Sequence, residues 1–179
     1  MHEVLEGPGG HGGNEDNPLT LPVTTTLSIL AVLVALVTLL GHRAHTEELL
    51  LQTQATDQWA LYQARNIRLH EMQAVADMLG TFTPVEKEKA AALREKYLKE
   101  VERYGKEKEE TGDKAKDLEK ERMVASRRAD RFDGGEVFLE IGLIITSFTL
   151  LTKKKIFWYS GIVLGIAGSL IAVSGFLLH

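Results

Sequence analysis

The 179-residue chain is 44% hydrophobic and 26% charged, carries a formal net charge of -4 and contains no cysteine. The acidic balance argues against a nucleic-acid partner, and the missing thiols remove disulfides, thiolate metal sites and cysteine nucleophiles together. The mean hydropathy of -0.08 averages two segregated populations: apolar residues in three blocks, charges crowded into the middle. That pattern belongs to membrane spans joined by a helical extension, not to one globular core.

Residues 1–19 read as a disordered acidic tail, Gly-rich and without Lys or Arg. His2 and His11 lie among Glu3, Glu6, Glu15 and Asp16, but no helical His pair or scaffold turns them into a metal site. Thr20 followed by Pro22 marks a helix start. Residues 20–41 form the first expected transmembrane helix, with Val23 to Leu40 free of charge and, with its flanks, just able to span ~30 Å of hydrocarbon. No basic segment precedes it, which argues against a cleaved signal peptide. Gly41, His42 and Arg43 mark its exit.

Residues 42–135 are expected to form an antiparallel helical hairpin with its tip at 80–84. No breaker interrupts the first arm before Gly80, so the membrane helix should continue into water for about 40 residues. One face holds Leu51, Ala55, Gln58, Trp59, Tyr62, Asn66, Leu69, Gln73 and Ala76. A second holds Ala60, Leu61, Ala64, Ile67, Val75, Met78 and Leu79. Asp57 is the only charge between Leu49 and Ala64. A helix apolar on two faces is covered on two sides. Asp57, Gln58, Trp59, Tyr62 and Asn66 are therefore the interaction candidates, with Gln58 and Asn66 as polar groups able to fix register. Gly80-Thr81-Phe82-Thr83-Pro84 supplies a stop and a start, and Thr83 with Glu86 matches a capping box.

In the returning arm, Tyr97, Val101, Tyr104, Lys108, Thr111, Ala115, Leu118, Arg122, Ala125, Ala129 and Phe132 keep alternating steps of three and four. All but Lys108 and Arg122 suit an apolar coiled-coil seam. Gly105 and Gly112 lie off that row. Most of the rest is Lys, Glu, Arg and Asp, so this arm has one dry side where the first has two. The economical arrangement is an oligomer with the first arm inside. The return arm is also about ten residues longer, ~15 Å. Arg127, Arg128 and Arg131 fall in that surplus, before Gly134-Gly135. A basic elbow on the head groups followed by a glycine bend would absorb it; a straight, longer helix is the alternative.

Residues 136–152 form the second expected span. Glu140 stands about one turn in, where an acid is either functional or paired, Arg43 being the candidate partner. Lys153, Lys154 and Lys155 make a tight connection, and Phe157-Trp158-Tyr159 an interfacial aromatic belt. Residues 156–178 form the third span. Gly161 and Gly165 allow close helix approach, within the chain or between subunits.

The run Gln54-Ala55-Thr56-Asp57-Gln58-Trp59-Ala60 with Tyr62-Gln63-Ala64 is distinctive. With Gly41-His42 after the first span and the basic triplet before Phe157-Trp158-Tyr159, the chain resembles a family of uncharacterised bacterial membrane proteins grouped as domain of unknown function 4337. The similarity covers essentially the whole chain. Leu61 departs from the aromatic expected there, and Glu140 from an apolar or amide residue. The resemblance implies an all-α fold and a bacterial cytoplasmic (inner) membrane location. It assigns no activity and no catalytic residues.

Three spans put the hairpin and His179 on one side, and the tail and lysine triplet on the other. Arg43, Lys116, Lys120, Arg122, Arg127, Arg128 and Arg131 outnumber the three lysines, which places the hairpin in the cytoplasm. The lysines, in the short loop where charge is best obeyed, pull the other way. The function that follows is a membrane-anchored helical scaffold or accessory subunit, a homo-oligomer or a subunit of a larger membrane complex, with the lipid bilayer as a further partner. The alternative is a channel or proton-linked transport component using Glu140. No Ser/His/Asp set, HExxH or phosphate-binding glycine loop suggests an enzyme, and no cofactor is implied. His42, His45, Glu136, Glu140 and His179 fall at one membrane surface, but their spacing dictates no metal geometry.

Overall fold

A computed structural model describes residues 18–81 and 86–178. Those residues fold into three helices, α1 (Thr20–Thr81), α2 (Lys87–Thr152) and α3 (Lys155–Gly175). The expected acidic tail and most of the expected tip, including Thr83 and Pro84, lie outside the described residues. Each helix holds a stretch long and apolar enough to cross a membrane.

α1 runs unbroken because nothing in it stops a helix: Pro22 sits in the first turn, where its missing N–H costs nothing. The hydroxyls of its apolar stretch satisfy themselves locally. Thr25 Oγ1 donates to the Leu21 carbonyl at 2.9 Å, Thr26 Oγ1 to Pro22 at 2.8 Å and Ser28 Oγ to Thr24 at 3.0 Å. α1 passes through Gly80, the expected stop, and ends one residue later. Glu86, the expected capping-box acid, stands at the N-cap of α2, and its carboxylate takes Lys89 at 2.6 Å.

α1 and α2 pack extensively and run in opposite directions; α3 packs on α2 and barely touches α1. Thr38 lies against Glu136, Gly41 against Asp133, Tyr62 against Gly112, Asn66 against Lys108, Leu69 against Gly105 and Gly80 against Arg94. From Thr38 to Gly80 is 42 residues (80 minus 38), and from Arg94 to Glu136 is also 42 (136 minus 94). The register therefore contains no insertion, and 42 residues are six heptads.

This corrects the expected elbow. α2 continues through Arg127, Arg128, Arg131, Gly134 and Gly135 without interruption. The surplus sits at the other end, where the start of α2 projects past the end of α1. Gly135 is a contact, not a hinge: a Cβ there would lie 2.8 Å from the Gly168 carbonyl oxygen and 2.8 Å from Ala172 Cβ. α2 turns back through Lys153, in the left-handed conformation at φ 58°, whose N–H bonds the Thr149 carbonyl. Trp158 Nε1 then donates to Thr26 Oγ1 at 3.0 Å and ties the start of α3 to the start of α1.

The core sits where all three helices meet. Leu30, Val37, Ala44, Ala129, Phe132, Leu139 and Ala172 form one buried cluster. Phe132 is its largest member, with the Phe176 ring edge-on at 5.3 Å.

Candidate interaction surface

The distinctive run of α1 divides between two faces. On the inner face Ala55 is buried, and Leu51, Gln58, Trp59, Tyr62, Asn66 and Leu69 are half-buried; Gln73 is exposed. Trp59 Nε1 donates to Glu119 Oε1 at 2.8 Å, and its ring meets Tyr62 edge-on at 5.4 Å. Tyr62 lies over Gly112, where a Cβ would be 3.2 Å from the ring, so Gly112 is a buried socket and not an off-row residue. Lys108, an exception in the apolar row of α2, reaches Asn66 Oδ1 at 3.5 Å and stands 5.8 Å from the centre of the Tyr62 ring. Asn66 thus makes a cross-helix polar contact. Gln58 makes no hydrogen bond to α2 among the described residues.

Arg122, the other exception, also has a partner on α1, Glu48 at 3.6 Å. The residue that sequence reasoning missed is Arg65. Its Nη1 donates to the Glu107 carbonyl at 2.8 Å and to Thr111 Oγ1, and its Nε lies 3.5 Å from the Glu107 carboxylate. One guanidinium fork thereby ties backbone, hydroxyl and acid of α2 to α1. The available signal was spacing: Arg65 continues the three-four row from Tyr62 to Leu69, opposite the small Thr111.

The outer face of α1 is uncovered. Leu50, Thr53, Asp57, Ala60, Ala64, Ile67, Glu71, Ala74 and Met78 follow one another by threes and fours, and every one is exposed. Leu50, Ile67 and Met78 expose more than half of their surface, and Leu61 beside them nearly half. Of the second apolar face expected from the sequence, Ala60, Leu61, Ala64, Ile67 and Met78 are exposed and without cover among the described residues, while Val75 and Leu79 are half-buried. Asp57 belongs to this face, whereas Trp59 and Tyr62 serve the inner one. α2 offers no such stripe in the hairpin. Its outward side there is a ladder of pairs such as Glu95–Lys99, Glu102–Lys106 and Asp117–Lys120.

Where the apolar stretches of α1 and α2 meet the charged hairpin, the expected Glu140–Arg43 pair is not formed. Leu139 and Gly142 face inward, which turns Glu140 outward, and neither residue has an ion-pair partner among the described residues. Glu136 takes the inward place and accepts from Thr38 Oγ1 at 2.5 Å. Arg128 bonds Glu47 at 3.4 Å and the Leu178 carbonyl at 3.3 Å, while Arg127 and Arg131 are exposed. Gly161 and Gly165 are used within the chain. Gly161 abuts Gly142 and Thr146 of α2, and Gly165 abuts Leu30 of α1. Among the described residues no group of three or more His, Asp or Glu side chains is placed to hold a metal ion.

His45 Nε2 meets Asp133 Oδ2 at 3.0 Å, and Nδ1 lies 3.7 Å from Glu48. The hydrogen bond to Asp133, supported by the charges of Asp133 and Glu48 and opposed by slight burial, holds the His45 pKa above its ordinary 6.5. A raised folded pKa means that the protonated ring favours the packed helices. Its contribution is complete below the unfolded value and is lost as pH rises through the folded one. Thermal unfolding followed across this range should show a midpoint that falls with rising pH. His45→Gln should flatten that part of the profile; an unchanged slope would remove the assignment.

The family model described as "Domain of unknown function (DUF4337)" matches residues 20–178, all three helices, and the chain belongs to that family. No curated protein and no solved structure matches it.

Proposed function

We propose that this DUF4337 protein is a membrane-anchored helical scaffold that assembles with further copies of itself through the outer face of α1. The observation that carries the reading is the exposed stripe Leu50, Ala60, Ala64, Ile67, Ala74 and Met78 on a helix whose other face is already packed. A mostly apolar strip in water, interrupted by Thr53, Asp57 and Glu71, marks a contact surface. Spans that hold the chain upright in a bilayer make all copies parallel, so each residue of the strip meets its own counterpart at the same height. Three of the six are alanines, which permit close approach, and the three-four spacing is that of a coiled coil. α2 with its charge ladder then forms the outside of the assembly.

On this reading the three apolar stretches are spans of a bacterial inner membrane, and the hairpin is a coiled coil on the cytoplasmic side, where most Arg and Lys flank the spans. Protease attack on the hairpin in sealed vesicles of known orientation reports that side. The assembly is tested by light scattering of the full chain in mild detergent. The expected mass is a multiple of 19.9 kDa. Ile67→Glu should weaken association at least about tenfold, roughly 1.4 kcal/mol, while Lys99→Glu on the outer ladder leaves it unchanged. A monomeric wild type, or an Ile67→Glu protein with the wild-type mass, would sink the proposal.

A further inference from the structure

α1 and α3 diverge along a groove that holds two clefts on one line. The upper cleft, about 310 Å³, lies at the membrane end of the hairpin and is lined by Leu40, Arg43, Ala44, Glu47, Arg128, Phe132 and Phe176. The lower, about 280 Å³, is walled by Leu33 and Ile29 of α1 and by Ile166 and Leu170 of α3, with Gly165 in its floor. Thr26, Leu33, Leu40 and Glu47 follow at intervals of seven, so both clefts occupy the same face of α1. On α3 Ile166, Ser169, Val173 and Phe176 continue by threes and fours, and Val173, between the clefts, is more than half exposed. Leu33 and Leu40 are seven residues apart, a rise of ~10 Å.

The two clefts have opposite character. The lower one is almost wholly apolar. The upper one is lined by Leu40, Ala44, Phe132 and Phe176 together with two guanidinium groups. Glu47 answers Arg128 at 3.4 Å, but no carboxylate answers Arg43 among the described residues, so the cleft carries one uncompensated positive charge. Arg127 and Arg131 line a neighbouring cleft with Asp130 at the same height.

We propose that this groove binds an anionic phospholipid, its phosphate between Arg43 and Arg128 and an acyl chain running down between α1 and α3. Charge complementarity selects the head group. A basic pocket between helices at the hydrocarbon boundary suits a phosphodiester. The apolar cleft two turns deeper selects a lipid over a free anion. The site rests on the membrane reading of the three helices but not on self-assembly.

The test is lipid retention by the full chain. Protein extracted in mild detergent and stripped by exchange is titrated with phosphatidylglycerol, phosphatidylcholine or inorganic phosphate, and binding is read by native mass spectrometry. Phosphatidylglycerol should bind at one per chain, and phosphatidylcholine at least tenfold more weakly. Arg43→Gln, at a side chain with no ion pair to lose, should weaken phosphatidylglycerol at least tenfold. Ile166→Trp, which fills the lower cleft from an exposed position, should weaken both lipids. Lys154→Gln, at the opposite end of the spans, should change nothing. Equal binding of the two lipids, an unaffected Arg43→Gln protein, or displacement of phosphatidylglycerol by millimolar phosphate overturns the proposal. Alkaline washing of native membranes is the separate readout: a wild-type chain released by it overturns the membrane reading itself.

Discussion

Phe132→Ala should be among the most destabilising single substitutions in the chain, costing about 3–5 kcal/mol. The ring is 2% exposed and sits where the hairpin meets the three-helix bundle. The Gly41 Cα approaches it from α1: a Cβ there would lie 3.6 Å from the Phe132 Cβ. From α3 come Gly175, where a Cβ would lie 3.4 Å from the ring, and Phe176 edge-on. The two glycines have no side chain to move into the space the ring would vacate, so a cavity term adds to the lost transfer energy. Denaturant titration in detergent measures the loss. Phe148→Ala is the comparison, since that ring is 46% exposed toward the outside of the bundle and should cost far less. Equal losses at the two positions would show that Phe132 is not the keystone of the junction.

The long first helix was legible because helices are stopped by a short list of residues and, apart from Gly41, the chain lacks them between Pro22 and Gly80. The inner row of α2 was legible because eleven positions repeat by threes and fours, and each of them is buried or half-buried. Register was not, because composition fixes how long each arm is but not which residues stand opposite. The surplus of the return arm was therefore expected at the membrane, beside the basic cluster, when the side-chain contacts put it at the tip. Gly134-Gly135 invited the same error: glycine weakens an isolated helix, but at Gly135, between two packed helices, the missing side chain sets their distance.

The charged members of the interface were hardest to see. Arg43 and Glu140 lie near the same end of the apolar stretches, yet height alone does not decide pairing. With Leu139 and Gly142 turned inward, the helix carries Glu140 to the outside and leaves the inward place to Glu136. Arg65 escaped notice because an arginine in a helix is usually solvated. Here a seam narrowed by Thr111 and Gly112 brings its fork to the backbone of α2. The outer face of α1 was read as apolar; Thr53, Asp57 and Glu71 interrupt it, Val75 and Leu79 are half-buried, and no other described residue covers the rest.

Two glycine substitutions only a few turns apart along the α2–α3 contact should have opposite signs. At Gly161 an added Cβ would lie 2.7 Å from the Gly142 carbonyl oxygen, 3.0 Å from Thr146 Cβ and closer still to Thr146 Oγ1. Thr146 Oγ1 has little freedom to move away, since it donates to that same Gly142 carbonyl at 2.7 Å inside the buried contact. Gly161→Ala must therefore push α3 off α2, at a cost of about 1–3 kcal/mol, toward the upper end because backbone is involved. At Gly134 the nearest atom to an added Cβ is Ile171 Cγ2 at 3.6 Å, an ordinary contact. Gly134→Ala then gains helix propensity, up to about 1 kcal/mol, without a clash. Shortening Thr146 to glycine in the Gly161→Ala background should recover part of the loss, because it removes the side-chain contacts but leaves the carbonyl. Unfolding midpoints in detergent for the three proteins decide the matter. A Gly161→Ala protein as stable as wild type would mean that α2 and α3 do not pack backbone to backbone there, and a destabilised Gly134→Ala protein would mean that Gly134 lacks room for a side chain.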